Sequence, residues 1–127
     1  MAEHPNAALI RQTYNAADAA ALASFYAEDM AWHWPGSGPL CGDYKGRDAV
    51  LAVFGRIQEL CGGTFRIEVH DVLANDEHGV ALTRWTASRQ GKHLNVLDAD
   101  VYHIRDSKIV EFWSFAEDQG LVNEFWS

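Results

Sequence analysis

Two acids in this chain sit where acids are costly. In the stretch His93–Glu117, HLNVLDADVYHIRDSKIVEFWSFAE, alternate residues Leu94, Val96, Asp98, Asp100, Tyr102 and Ile104 share one face of a strand. Asn95, Leu97, Ala99, Val101 and His103 share the other. The first face is apolar except for Asp98 and Asp100 near its middle. A carboxyl group among Leu, Val, Tyr and Ile either meets a partner or is held neutral by desolvation. Asp100 can then act in one of two ways. It can be a structural acid satisfied by a neighbouring Tyr, Trp or His. It can also be chemical: a neutral acid donating to a ligand carbonyl or enolate, or a base poised by burial. Asp98 shares the face and lies nearer the strand start, where it is either a ligand contact or part of the rim. Two buried acids at i, i+2 raise each other's pKa values.

Other side chains extend this set. Trp32 and Trp34 alternate with His33, so the two indoles point one way, as walls for a flat ligand or as ordinary core. His33 is the candidate general base if its strand is bulged to turn it inward. Tyr14 is its counterpart as a hydroxyl partner for Asp100. Tyr26, Tyr102, Phe112 and Ser114 are candidate lining. His70 and His103 fall on a sheet face turned toward a helix or a partner. The six His residues form no i, i+4 pair and no HExxH, so neither a metal nor another cofactor is expected. No nucleophile elbow, P-loop or dinucleotide fingerprint is present.

The elements that must position these residues follow from periodicity and punctuation. Pro5 suits a first helical turn, and Leu9, Ile10, Thr13, Tyr14 and Ala17 then recur at helical spacing. Asp18 is an N-cap for a short second helix with Leu22, Phe25 and Tyr26 inward, ending at Ala27-Glu28-Asp29. Met30–Trp34 is a short aromatic strand, and PGSGPLCGDYKG after it is a loop. Arg47-Asp48 opens a third helix carrying Val50, Leu51, Phe54, Ile57 and Leu60, closed by Gly62-Gly63. Four antiparallel strands follow: Thr64–Ala74, Val80–Arg89, and the two long strands of the opening stretch, joined at Asp106-Ser107. The tail, Gln119–Ser127, ends in Phe125-Trp126, which must pack somewhere. Trp113, Phe115, Trp85 and Val101 are expected on the sheet face opposite the acids, where helix would cover part of them and a second copy of the chain another part.

This order predicts an α+β class, with three N-terminal helices laid on a strongly curved, mixed or antiparallel sheet to enclose a pocket. Such hollows take small, mostly apolar ligands. The 127 residues suit one domain spanning 1–127, and 48% hydrophobic content argues against disorder. A formal net charge of −8 with no basic stripe argues against nucleic acid. No apolar run approaches a bilayer span of roughly 20 residues, and the N-terminus lacks a signal-peptide pattern, so no membrane partner and a cytoplasmic setting are expected. Cys41 and Cys61 read as reduced thiols.

Several segments, in order, resemble the SnoaL-like polyketide-cyclase and ketosteroid-isomerase-like group of the nuclear transport factor 2-like superfamily. They are Tyr14–Asp18, Phe25–Met30 (FYAEDM), Trp34–Gly42 (WPGSGPLCG), Tyr44–Val50 (YKGRDAV), and the closing hairpin Asp100–Ile104 with Lys108–Trp113. The resemblance implies a cone-shaped fold, homodimerisation through sheet faces and a small cyclic or polyketide-like ligand. It also implies proton transfer next to a carbonyl as the class of any reaction, of isomerase, cyclase or dehydratase type. A non-catalytic binder of small hydrophobic molecules is the alternative on the same frame. Residue by residue, the isomerases' general base before the loop proline falls on Trp34. Their oxyanion tyrosine is best matched by Ile10, one turn before Tyr14. Their second oxyanion acid, kept protonated by an apolar site, is retained as Asp100. The last-strand acid of the cyclases falls on Ser114.

Overall fold

A long hairpin joins β5 (Lys92–Arg105) to β6 (Lys108–Ala116) through Asp106 and Ser107. Both turn residues adopt positive φ, 52° and 60°, as a two-residue turn matched to strand twist requires. The computed structural model describes residues 3–127. Four further strands are β1 (Tyr26–Trp34), β2 (Gly42–Lys45), β3 (Arg66–Ala74) and β4 (His78–Arg89). They complete a six-stranded sheet of order β2-β1-β6-β5-β4-β3. All neighbours are antiparallel except β1 and β6, which run parallel.

Four helices pack on the sheet. In α1 (Pro5–Tyr14) the His4 ring accepts from the Asn6 N–H at 3.1 Å, and Pro5 occupies the first turn. Ala7, Ile10 and Thr13 are its buried face. Ile10 lies directly against Gly79 of β4, where a side chain would collide with its Cδ1, so the glycine lets helix and strand approach. Asp18 caps α2 (Ala19–Ala23) by accepting from Ala21 N–H at 2.8 Å. In α3 (Arg47–Leu60) Val50, Val53 and Ile57 point inward, and Gly62 and Gly63, both at positive φ, stop it. Helix α1 packs on β3 and β4, and α3 on β1 and β2. The middle strands β5 and β6 lie between these two covers.

The α+β class, the helix order and the four closing strands stand as expected; three details differ. The second helix ends at Ala23, and β1 begins at Tyr26, because 26–34 finds two partner strands. The Gly-rich loop contains β2. The tail is a fourth helix, α4 (Gln119–Trp126), capped by Asp118, with Val122, Phe125 and Trp126 buried. It clamps the 35–41 loop: Gln119 donates to Pro35 O at 3.0 Å, and Asn123 accepts from Ser37 N–H at 3.1 Å. Cys41 and Cys61 are free thiols. No helix among the described residues is long and apolar enough to cross a membrane.

A left-handed conformation costs a non-glycine residue about 1 kcal/mol. Ser107→Gly is therefore expected to raise the unfolding free energy by about 0.5 kcal/mol, measured as the shift of the urea midpoint at unchanged slope.

Candidate functional site

Register places the acids. Asp100 of β5 stands between Ala81 on β4 and Ser114 on β6, and Asp98 between Thr83 and Ala116. All four flanking residues are small, so the sheet leaves room for two carboxyls at the centre of its inner face. Larger groups bound this saddle. Tyr102 pairs with Phe112 at one end, and Val96 pairs with Trp85 at the other. Asp98 and Asp100 are only 5% and 3% exposed.

Tyr14 reaches them from the last turn of α1. Its hydroxyl donates to Asp100 Oδ2 at 2.5 Å and lies 2.5 Å from the Tyr102 hydroxyl. A phenol has one proton to give, so Tyr102 supplies that second bond. Trp32 Nε1 donates to Ser114 Oγ at 3.0 Å, beside Asp100. Rings wall the group. Phe112 stacks on Tyr102, Trp32 and Tyr26 at 5.2, 5.4 and 6.2 Å between centroids, and Trp32 stacks on Trp34 at 5.2 Å.

Burial sets the electrostatics. Desolvation raises the pKa of Asp100, and the hydrogen bonds from Asp98, Tyr14 and Ser114 only partly offset it. Desolvation and the adjacent Asp100 raise Asp98. Desolvation likewise lifts Tyr14, Tyr102 and Tyr26, with Asp100 adding to each. Burial therefore favours the protonated form of each member of the group. The group can donate hydrogen bonds to an acceptor, and it can pass a proton between oxygens a few ångströms apart.

The structure brings together Asp100, Asp98, Tyr14, Tyr102, Ser114, Trp32, Phe112 and Tyr26, with Trp34 on the same aromatic wall. It does not bring in His33. The backbone of β1 is irregular between Tyr26 and Ala31, but His33 lies beyond that shift and faces outward. There it bridges Asp43 (Nδ1 to Oδ1, 2.7 Å) and Glu111 (Nε2 to Oε2, 2.6 Å) and stacks on Trp113. Burial lowers its pKa, but the two carboxylates outweigh that and raise it. His103 is outward too, 3.6 Å from Glu111.

Trp85 is a second correction. It belongs to the inner face, 4% exposed, against Trp34 and Phe65. The Gln90-Gly91 turn, both residues at positive φ, pairs Arg89 with Lys92 and so Trp85 with Val96. Reading that two-residue turn first would have placed the indole correctly. Trp126 was legible only as a buried tail residue, and it packs edge-on against Trp34 at 5.6 Å.

A curved sheet with helices over its inner face is the nuclear transport factor 2-like architecture. An NTF2-like protein of unknown function from Burkholderia pseudomallei shares it with a TM-score of 0.85 at 18% identity, over 98% of each chain. The family follows from the sequence: residues 7–112 match the SnoaL-like domain, and the chain belongs to that family. The protein Bal32a, from a soil-derived mobile gene cassette, superposes with a TM-score of 0.93 at 33% identity, over 97% of both chains. The uncharacterized protein Rv0034 of Mycobacterium tuberculosis is 32% identical over 123 residues, 94% of each chain.

A buried acid with a raised pKa binds its proton more tightly folded than unfolded. Its stabilising effect is complete below the unfolded pKa, near 3.9, and is lost as pH rises toward the folded value, by about 1.4 kcal/mol per pH unit for each proton retained. Asp98→Asn removes one ionisable member of the pair. Its stability should therefore fall less steeply than that of the wild type between pH 5 and 8. Urea unfolding across that range tests this; parallel slopes contradict it.

Proposed function

We propose that the protein binds a small cyclic or polyketide-like carbonyl compound against Asp100 and moves a proton next to that carbonyl, as an isomerase or cyclase does. The observation that carries this reading is the bond from Tyr14 to a fully buried Asp100 inside a wall of aromatic rings. A neutral Asp100, its Oδ2 held by the Tyr14 hydroxyl, would be a donor suited to a carbonyl oxygen, whose developing negative charge it would stabilise. Stacking on Trp32 and Phe112 would favour a flat molecule.

The second reading is a non-catalytic small-molecule binder. It is favoured by Trp34, a core indole where the resembling isomerases carry their base, and by Ser114, whose oxygen is engaged by Trp32. Asp100→Asn separates the two on a panel of enones and aromatic polyketides. Loss of turnover by about a hundredfold or more with affinity retained supports catalysis; a change in affinity alone supports the binder.

The outer sheet face supports a homodimer. Leu73, Leu82, Leu97 and Phe115 are 37–56% exposed there. A cleft of about 320 Å3 lies on that face, lined by His70, Leu82, Leu97, Phe115 and Glu117 among others. A contiguous apolar area of this kind is covered by association in most soluble proteins. Leu97→Glu with Phe115→Glu should sediment as a monomer, whereas the parent chain should sediment as a dimer.

A further inference from the structure

The outer face of the sheet carries charged and imidazole side chains that the candidate site does not use, and register aligns them. Asp43 of β2 pairs with His33 of β1, and His33 with Trp113 of β6. In the row beside it, Lys45 pairs with Ala31, Ala31 with Glu111, Glu111 with His103 of β5, and His103 with His78 of β4. His33 joins the two rows. Its Nδ1 is 2.7 Å from Asp43 Oδ1, and its Nε2 is 2.6 Å from Glu111 Oε2. Its ring lies over Trp113, with 5.1 Å between centroids and 24° between planes. A neutral imidazole has one N–H. It could serve only one of the two carboxylates and would turn a bare lone pair on the other. Two contacts this close, one on each nitrogen, call for an imidazolium. That cation donates to both acids, and its charge suits the face of an indole.

The cation sits on a segment that carries part of the site. Residues 31–34 of β1 are joined on one side to β6, after a register shift between Tyr26 and Ala31. On the other side they meet β2, an edge strand of four residues. Side chains alternate along a strand. His33 faces outward, so Trp32 and Trp34 on either side of it face inward. There Trp32 donates to Ser114 and stacks on Phe112. Fixing His33 from both flanks therefore fixes the backbone that presents the two indoles.

We propose that His33 is a positioning residue: as an imidazolium tied at once to β2 and β6 it holds Trp32 and Trp34 in the aromatic wall, and losing its proton loosens that wall. The inference goes beyond the ligand reading above and stands whether or not a carbonyl compound is turned over. Desolvation lowers the pKa of His33, but the bonds to Asp43 and Glu111 outweigh it and raise the balance. A histidine raised in this way stabilises the fold fully below its unfolded pKa, near 6.5. The effect is lost as pH rises through the folded value. The other charged or titratable groups on this side are Asp43 and Lys45 from β2, Asp29 on β1 itself and Glu111 from β6. His103 of β5 lies 3.6 Å from Glu111, with the His78 ring of β4 against it.

The test uses the full chain without ligand, its His and Trp labelled with 15N, titrated by NMR from pH 5 to 10. Both ring nitrogens of His33 should carry protons at neutral pH, and one should be lost in a single step above the ordinary range. Across that step the Trp32 indole N–H should exchange with solvent about tenfold faster or more, relative to the Trp85 indole on β4. The ratio to Trp85 cancels the intrinsic pH dependence of exchange. His33→Gln should show the fast ratio at every pH. His33→Arg keeps the charge and can donate to both carboxylates, so it should hold the slow ratio to pH 10. His103→Gln should leave the step in place; a step that vanishes with His103 overturns the assignment to His33. A neutral His33 ring at neutral pH overturns the proposal, as does a charged ring whose titration leaves the Trp32 ratio unchanged. Should the His33 variants fail to fold, the wild-type titration decides alone. With no ligand present, none of these outcomes bears on the carbonyl-binding reading, which has its own test.

Discussion

The inner face of this sheet is organised around two carboxyl groups held out of water, where burial favours their uncharged forms. Ionised and buried, each would cost several kcal/mol even after relaxation. Protonated, they cost far less and become donors. A single chain of hydrogen bonds runs from Tyr102 through Tyr14 to Asp100. That chain ties α1 to the middle of the sheet. The polar centre is therefore also a structural joint.

The surrounding residues make the joint possible by being small or flat. Ala81, Thr83, Ser114 and Ala116 give the acids space, and Gly79 lets Ile10 seat α1 deeply enough for Tyr14 to arrive. Trp32, Phe112 and Tyr102 exclude water from the sides. On the other face of the same strands, His33 bridges Asp43 and Glu111 and so holds the edge strand β2 to β1 and β6. One sheet thus carries two polar clusters of opposite character. The inner one is dry and has raised acid pKa values. The outer one is open to solvent and built from ion pairs.

Much of this was legible in the residues. Period-two alternation alone put Asp98, Asp100 and Tyr102 on one face of β5, because a two-sided strand has only two choices. Helical spacing and caps located α1, α2 and α3. The site's frame was legible through its order of motifs, and Tyr14, Tyr26, Phe112 and Ser114 came with it. What escaped depended on pairing between segments far apart in the chain. The direction in which His33 points follows from which strands flank β1, and no local signal carries that. Trp85 was misplaced because alternation was counted within strands without the turn that sets their register. Helix α4 was missed because eight residues ending in Phe-Trp show barely two turns of pattern, although Asp118 and the Val122, Phe125, Trp126 spacing were available.

The parallel pairing of β1 with β6 reaches beyond the site. Trp32 lies opposite Phe112, roughly 80 positions later, and His33 opposite Trp113. The β3–β6 meander can zip up through neighbouring hairpins, whereas the β1–β2 arm must wait until nearly all of the polypeptide exists. Contacts of such long range slow folding, since loop-closure entropy is lost before any contact rewards it. On the ribosome, the first aromatic strand of this protein therefore spends most of its synthesis with at most the short β2 beside it, its β6 edge waiting for residues 109–113.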